Sequence, residues 1–206
     1  MRGSGLTWAA FFFLSMEEPF MDILFRDIKT ASGHSGDLML SALQKFIRRG
    51  ETENAARAAF ELAAYSAEAE MVVWQRLRVI CAEDVGMANP QAPAVIHALA
   101  ESAKAFPWGN PDRNIILTHA VRYLCASSKD RASCTLNSVI KRRVKAGTTF
   151  DLPDYVYDMH TEKGREMGRG RMHFLHEASR VVPPSPIEDP WFDELQAMYK
   201  EEDPNG

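Results

Sequence analysis

Glu83 and Asp84 stand side by side in the stretch from Trp74 to Ala92, and adjacent carboxylates are a pair able to do chemistry. Held in unlike surroundings, two carboxylates acquire different pKa values, so that one serves as acid and the other as base. Such work needs further titratable groups, and His119 and His160 are the candidates the chain offers. A small enzyme using Glu83, Asp84, His119 and His160 is therefore one reading, although no nucleophile stands at a meaningful spacing. The other reading is structural. Carboxylates in a helix's last turn face the negative end of its dipole, at a cost of roughly a few tenths of a kcal/mol each. On this reading one of them bonds the start of the next helix or pairs with a neighbouring arginine. His119 falls on or near the apolar face of its own helix and reads as a hydrogen-bonded core residue.

Other chemistries are weaker or absent. His173 and His176 lie three apart with Glu177 beside them, a spacing that can hold a metal but is common by chance. No GxxxxGK[ST] loop, GxSxG, HExxH or paired CxxC occurs, so this stretch of chain alone is not expected to hydrolyse nucleotide, and no cofactor or metal is implied. Gly164, Gly168 and Gly170 lie in a basic run without GxGxxG spacing or a preceding strand, which argues against a dinucleotide cradle. Cys81, Cys125 and Cys134 fall in helical patterns and read as small hydrophobes of a reducing, cytoplasmic protein.

Two basic clusters remain. Lys45, Arg48 and Arg49 close one helix, and Lys141, Arg142, Arg143 and Lys145 close another. Residues 112–150 carry about +6 by formal count, although the chain as a whole is at -4. These cations are candidate phosphate contacts for weak, salt-sensitive DNA binding, or else solvated helix ends.

The elements that must position these groups are helices throughout. Asp37 is the expected N-cap of a helix with Leu40, Leu43 and Ile47 on one stripe, ended by Arg48-Arg49-Gly50. Thr52 caps an alanine-rich helix to about Tyr65, and Ser66 starts a third whose apolar face is Trp74, Leu77, Ile80 and Cys81. Gly86 reads as its left-handed C-cap, and Asn89-Pro90 as N-cap and first residue of a fourth helix running to about Phe106. Asp112 opens a fifth with Ile116, Ala120, Tyr123 and Leu124 buried, and Ser127 to Asp130 breaks it. A sixth helix carries Leu136, Val139, Ile140 and Val144 before Gly147. No stretch alternates with the period of a strand. The expected fold is all-α, with antiparallel helical hairpins stacked on one another from Asp37 to Ala146 in a helical domain of residues 37–182. Residues 1–36 form an apolar arm and loop, with Phe11-Phe12-Phe13 at its heart and no small-x-small cleavage signal after it. Residues 183–206 form a proline-rich linker and an acidic tail, about -6 over the last twenty-one residues, expected to be mobile or loosely docked.

Four stretches together resemble a known family. They are Asp37-Leu38 with Ser41-Ala42-Leu43-x-Lys45-x-Ile47-Arg48; Arg76-Leu77 through Ala82-Glu83-Asp84-Val85-Gly86-x-Ala88-Asn89-Pro90-Gln91-Ala92; Ala120-Val121-x-Tyr123-Leu124-x-Ala126 with Lys129; and Glu166-Met167-Gly168-Arg169-Gly170 with His176-Glu177. They resemble the C-terminal region of the MgsA/RarA-type AAA+ ATPases, relatives of the Werner-helicase-interacting protein. The resemblance covers about residues 37–177. It implies a domain similar to the clamp-loader collar, one that holds ATPase subunits together. It makes Arg76, Glu83, Asp84, Gly86, Asn89 and Pro90 structural motif residues. It also implies association with replication, recombination or repair. The family's Gly-Tyr-Gly is Gly168-Arg169-Gly170 here, which implies a changed partner surface.

Composition fits this reading, since 46% hydrophobic and 25% charged residues are ordinary for a soluble globular protein. The net charge speaks against wholesale nucleic-acid binding. No stretch is long enough to span a membrane. The function expected is a non-catalytic oligomerisation and scaffold module, a dimer or tetramer, partnered by a AAA+ ATPase, replication-fork proteins or DNA. A protein-binding adaptor is the further alternative.

Overall fold

The computed structural model describes residues 25–202, and the apolar arm that the sequence places before residue 25 lies outside them. Among the described residues every regular element is helical, save an isolated bridge between Lys29 and Ser35. The all-α expectation holds. The chain divides into a unit ending at Lys145 and a second beginning at Ala146.

In the first unit α1 spans Gly36–Arg49, α2 Thr52–Ala63, α3 Ala67–Ile80, α4 Ala92–Ala103, α5 Pro111–Ala126 and α6 Ala132–Lys145. α2 is the centre. Its inward residues, Ala55, Ala58, Ala59, Leu62 and Ala63, are mostly alanine, and small side chains let α1, α3 and α5 approach closely. Leu43 and Ile47 of α1, Val73, Leu77 and Ile80 of α3, Ile96 of α4, and Val121 and Leu124 of α5 fill the space between with no exposed surface. Phe25 and Ile28 close the same core.

Several boundaries follow their local chemistry. The Ser66 side chain accepts from the Ala69 N–H and starts α3, as its sequence suggests. Gly50 ends α1 at φ 73°, a left-handed cap. Others depart from expectation. Ser35, not Asp37, precedes α1, and Asp37 lies in its first turn. α5 is capped by Asn110, whose side chain accepts from the Asp112 N–H, with Pro111 as first helical residue. The buried face of α5 is Leu117, Ala120, Val121, Leu124 and Cys125, so Ile116 and Tyr123 flank the core instead of filling it. α6 stands apart. No residue of it is buried, and Leu136, Val139, Ile140 and Val144 face outward.

In the second unit the chain runs through a turn of 3-10 helix at Asp154–Val156, α7 at Glu162–Glu166 and α8 at Arg171–His173. A π turn at Phe174–Ala178 follows, and then α9 at Phe192–Glu202. Thr161 caps α7 by accepting from the Gly164 N–H at 3.0 Å. Arg169 is turned inward: it grips both carboxylate oxygens of Asp154, at 2.6 and 2.7 Å, and donates to the carbonyls of Asp154 and Tyr157. The Gly168-Arg169-Gly170 departure is thus spent on holding a turn and not on a surface. The acidic tail, expected to be mobile or loosely docked, carries α9. Phe192 packs edge-on against His176, Arg171 lies over the Tyr199 ring, and Arg171 pairs with Glu202.

Candidate functional site

The site grows out of the way α3 ends. Beyond Ile80 the helix widens into a π turn over Cys81–Val85 and then tightens into a 3-10 turn over Gly86–Ala88. Such an insertion re-aims side chains that a plain α-helix would place elsewhere. Here it carries Asp84 inward, where it has no exposed surface, and leaves Glu83 partly exposed.

A buried carboxylate must be paired and hydrogen-bonded. Asp84 is. Arg48 Nε reaches its Oδ1 at 2.5 Å and Arg131 Nε reaches the same oxygen at 3.2 Å. The Gln44 amide donates to Oδ2 at 2.8 Å, while its own oxygen accepts from Arg76 at 3.3 Å. Glu83 bridges the two guanidiniums from outside, 3.5 Å from Arg48 and 3.4 Å from Arg131. The bond to Asp84 pushes the Arg48 guanidinium above its ordinary range. Two carboxylates and two arginines cancel one another, and α1, α3 and the start of α6 are clasped together.

The loop beyond is tied as tightly. The Asp130 N–H donates to the Asp84 carbonyl at 2.9 Å, and the Asp130 carboxylate accepts from the N–H groups of Met87 and Ala132. Gly86 is needed for that approach. Its φ is 53° and its ψ -140°, outside the left-handed helical region expected of a C-cap, and a Cβ would stand 2.4 Å from the Asp130 carbonyl oxygen. Asn89 is not an N-cap and Pro90 is not a first helical residue. α4 starts at Ala92, and the Asn89 amide donates to Tyr123 Oη at 2.9 Å and Ser127 Oγ at 3.0 Å, fixing the loop to α5. The Lys129 ammonium closes α5 by donating to the carbonyls of Leu124, Cys125 and Ser127, and burial pulls its pKa below the usual lysine range.

The residues named for acid–base work are therefore deployed otherwise. Glu83 and Asp84 are turned onto arginines. His119 is exposed on α5 and not a core residue, and His160, in the second unit, pairs with Asp158 at 3.0 Å. Among the described residues no group of three His, Cys, Asp or Glu is placed to hold a metal ion. Of the basic clusters, Arg48 belongs to the clasp, Lys45 bonds Ser41, and Arg49 donates to the Lys45 carbonyl. Lys141, Arg142, Arg143 and Lys145 stand exposed on the last half of α6. Sequence reasoning missed Gln44, Asp130 and Arg131. It also missed a second buried carboxylate, Glu70, held by Arg113 at 2.8 Å and by the Trp74 indole at 3.0 Å. A usable signal for Arg131 was its place at the start of a helix directly after the Lys129-Asp130 break.

Three stretches of the family-like sequence meet at this clasp: Arg48 from the first, Arg76 through Asn89 from the second, Tyr123 and Lys129 from the third. Comparison with known proteins bears on what that means. The chain is 35% identical over 133 residues to the replication-associated recombination protein A of Bacillus subtilis, covering 64% of this chain and 30% of that protein. It is 27% identical over 162 residues to an uncharacterised AAA domain-containing protein of Mycobacterium tuberculosis, covering 75% of this chain and 35% of that one. The chain thus spans about a third of the length of these relatives. The family model described as "MgsA AAA+ ATPase C terminal" matches residues 27–190, and the chain belongs to that family.

Proposed function

We propose that this chain is a non-catalytic oligomerisation and scaffold module serving DNA replication, recombination or repair, beside a AAA+ ATPase or on DNA itself. The observation that carries the reading is the clasp. The residues through which the chain resembles its family are consumed in joining helices, and the carboxylate pair is neutralised by Arg48 and Arg131. That is the work of an architectural element. The name of the Bacillus relative supplies the replication and recombination context.

Light scattering coupled to size exclusion at micromolar concentration tests the reading, with a dimer or tetramer as the expected mass. A strictly monomeric mass for the cooperatively folded chain overturns it. DNA contact by Lys45, Arg49 and the α6 cations belongs to the same proposal. Anisotropy with a forked oligonucleotide is expected to give binding of roughly micromolar strength or weaker that fades steeply with salt. Salt-independent or sequence-selective binding contradicts that part.

A further inference from the structure

α6 and α9 each turn an apolar stripe outward, and the two stripes carry opposite charge. On α6 the stripe is Leu136, Val139 and Ile140, with Leu136 60% and Ile140 44% exposed. Successive residues turn by about 100°. Arg143 therefore continues this stripe, while Lys141, Arg142 and Lys145 charge the remaining sides of the same helical half. The helix is fixed at its start by Asp130 and Arg131, and the element it packs on is the Cys81–Val85 π turn. At α9 the stripe is Trp191, just before the helix, with Leu195 and Met198 on it, of which Trp191 is 71% and Met198 49% exposed. Glu194 and Glu201 flank it. The other side of α9 is occupied, since Phe192 meets His176 and Tyr199 lies under Arg171. α9 also lies beyond the last residue the family model matches.

We propose that α6 of one copy is covered by α9 of a second copy, the carboxylates of α9 lying along the cations of α6. This rests on the oligomer reading above and gives it an interface. Exposed apolar stripes rimmed by polar groups mark interaction surfaces. Charge complementarity selects the occupant. Two α6 helices laid together would bring cations to the seam with no counter-charge, whereas α9 brings glutamates.

The test is the mass of the full chain by light scattering, for the parent and two charge-reversed variants. One is Arg142→Glu with Arg143→Glu, the other Glu194→Lys with Glu201→Lys; all four positions are exposed, and an unchanged thermal midpoint at low concentration confirms folding. Each variant alone is expected to associate at least tenfold more weakly than the parent, and an equimolar mixture of the two to recover the oligomer. A parent oligomer indifferent to both variants overturns the α6–α9 interface and leaves the oligomer reading standing. A monomeric parent overturns both. Loss with the α6 variant alone overturns the choice of α9 as occupant. A forked oligonucleotide whose binding falls with the α6 variant while the mass stays unchanged assigns the cations to nucleic acid, and overturns it too.

Discussion

α5 and α6 leave the same short loop in opposite circumstances. α5 carries apolar residues round much of its circumference, interrupted by Thr118 and His119, and yet buries five residues against α2 and α4. α6 carries the cleaner stripe and buries none. An amphipathic pattern states that a face is meant to be covered; it does not say by what. Between the two helices lies the Asp84 clasp, which explains how α6 is held firmly without a core of its own. Its first residues are fixed by charge-assisted bonds to a turn that is itself part of the core.

The contrast is sharpest in truncation. Leu124→Ala in α5 removes a side chain with no exposed surface and should cost about 2–5 kcal/mol, read from urea unfolding. Ile140→Ser in α6 should leave monomer stability within about 0.5 kcal/mol of the parent, measured at concentrations low enough to exclude association. Comparable losses at both positions would erase the distinction. Next in size is Gly86→Ala. It drives a Cβ into the Asp130 carbonyl at an unfavourable φ and should cost about 1–3 kcal/mol. Hydrogen exchange should show α6 amides losing protection ahead of those of α2. Equal loosening of both would place the strain elsewhere.

The smallest expected effect depends on pH. Glu61 of α2 accepts from the Ser32 N–H and hydroxyl, at 3.0 and 2.6 Å, and pairs with Arg57 at 2.9 Å. These bonds lower its pKa from 4.5 to about 2. A lowered folded pKa means a contribution fully present above the unfolded value and lost as pH falls through the folded one. The parent should therefore lose more stability than Glu61→Gln between pH 4.5 and 2. Parallel stability curves for the two proteins would contradict this.

How much of this was legible depends on distance along the chain. Some local signals read well: the Ser66 cap, the Gly50 terminator and the Ser127–Asp130 break stand where their residue types place them. Asp37, Thr52 and Asn89, by contrast, do not cap their helices, which start at Gly36, Thr52 itself and Ala92. The face of α5 slipped because its apolar residues leave more than one phase open, and α2 and α4 choose between them. α9 was hidden because an acidic composition masks the i, i+4, i+7 set Trp191, Leu195 and Met198. For the site, the oddity of two carboxylates at a helix end was visible, as was the need for an arginine. Which arginines was not, because Arg48 and Arg131 lie 35–36 and 47–48 residues away and are brought in by tertiary packing. A glycine at position 86 signals freedom of φ, but the close approach of Asp130 that makes it necessary has no local signature.

The central claim is that the family-like residues form a clasp between helices, and a double-mutant cycle on Arg48 and Asp84 addresses it most directly. Urea unfolding would be followed for the parent, Arg48→Met, Asp84→Asn and the double variant. Either single change breaks the charge-assisted bond to the buried Asp84, while Arg131 and Gln44 still hold that carboxylate and Glu83 still holds Arg48, and should cost about 1.5–3 kcal/mol. The double change should cost clearly less than the sum, because each single variant has already lost the bond that the other removes. Single variants within about 0.5 kcal/mol of the parent, or costs that simply add, would contradict the clasp.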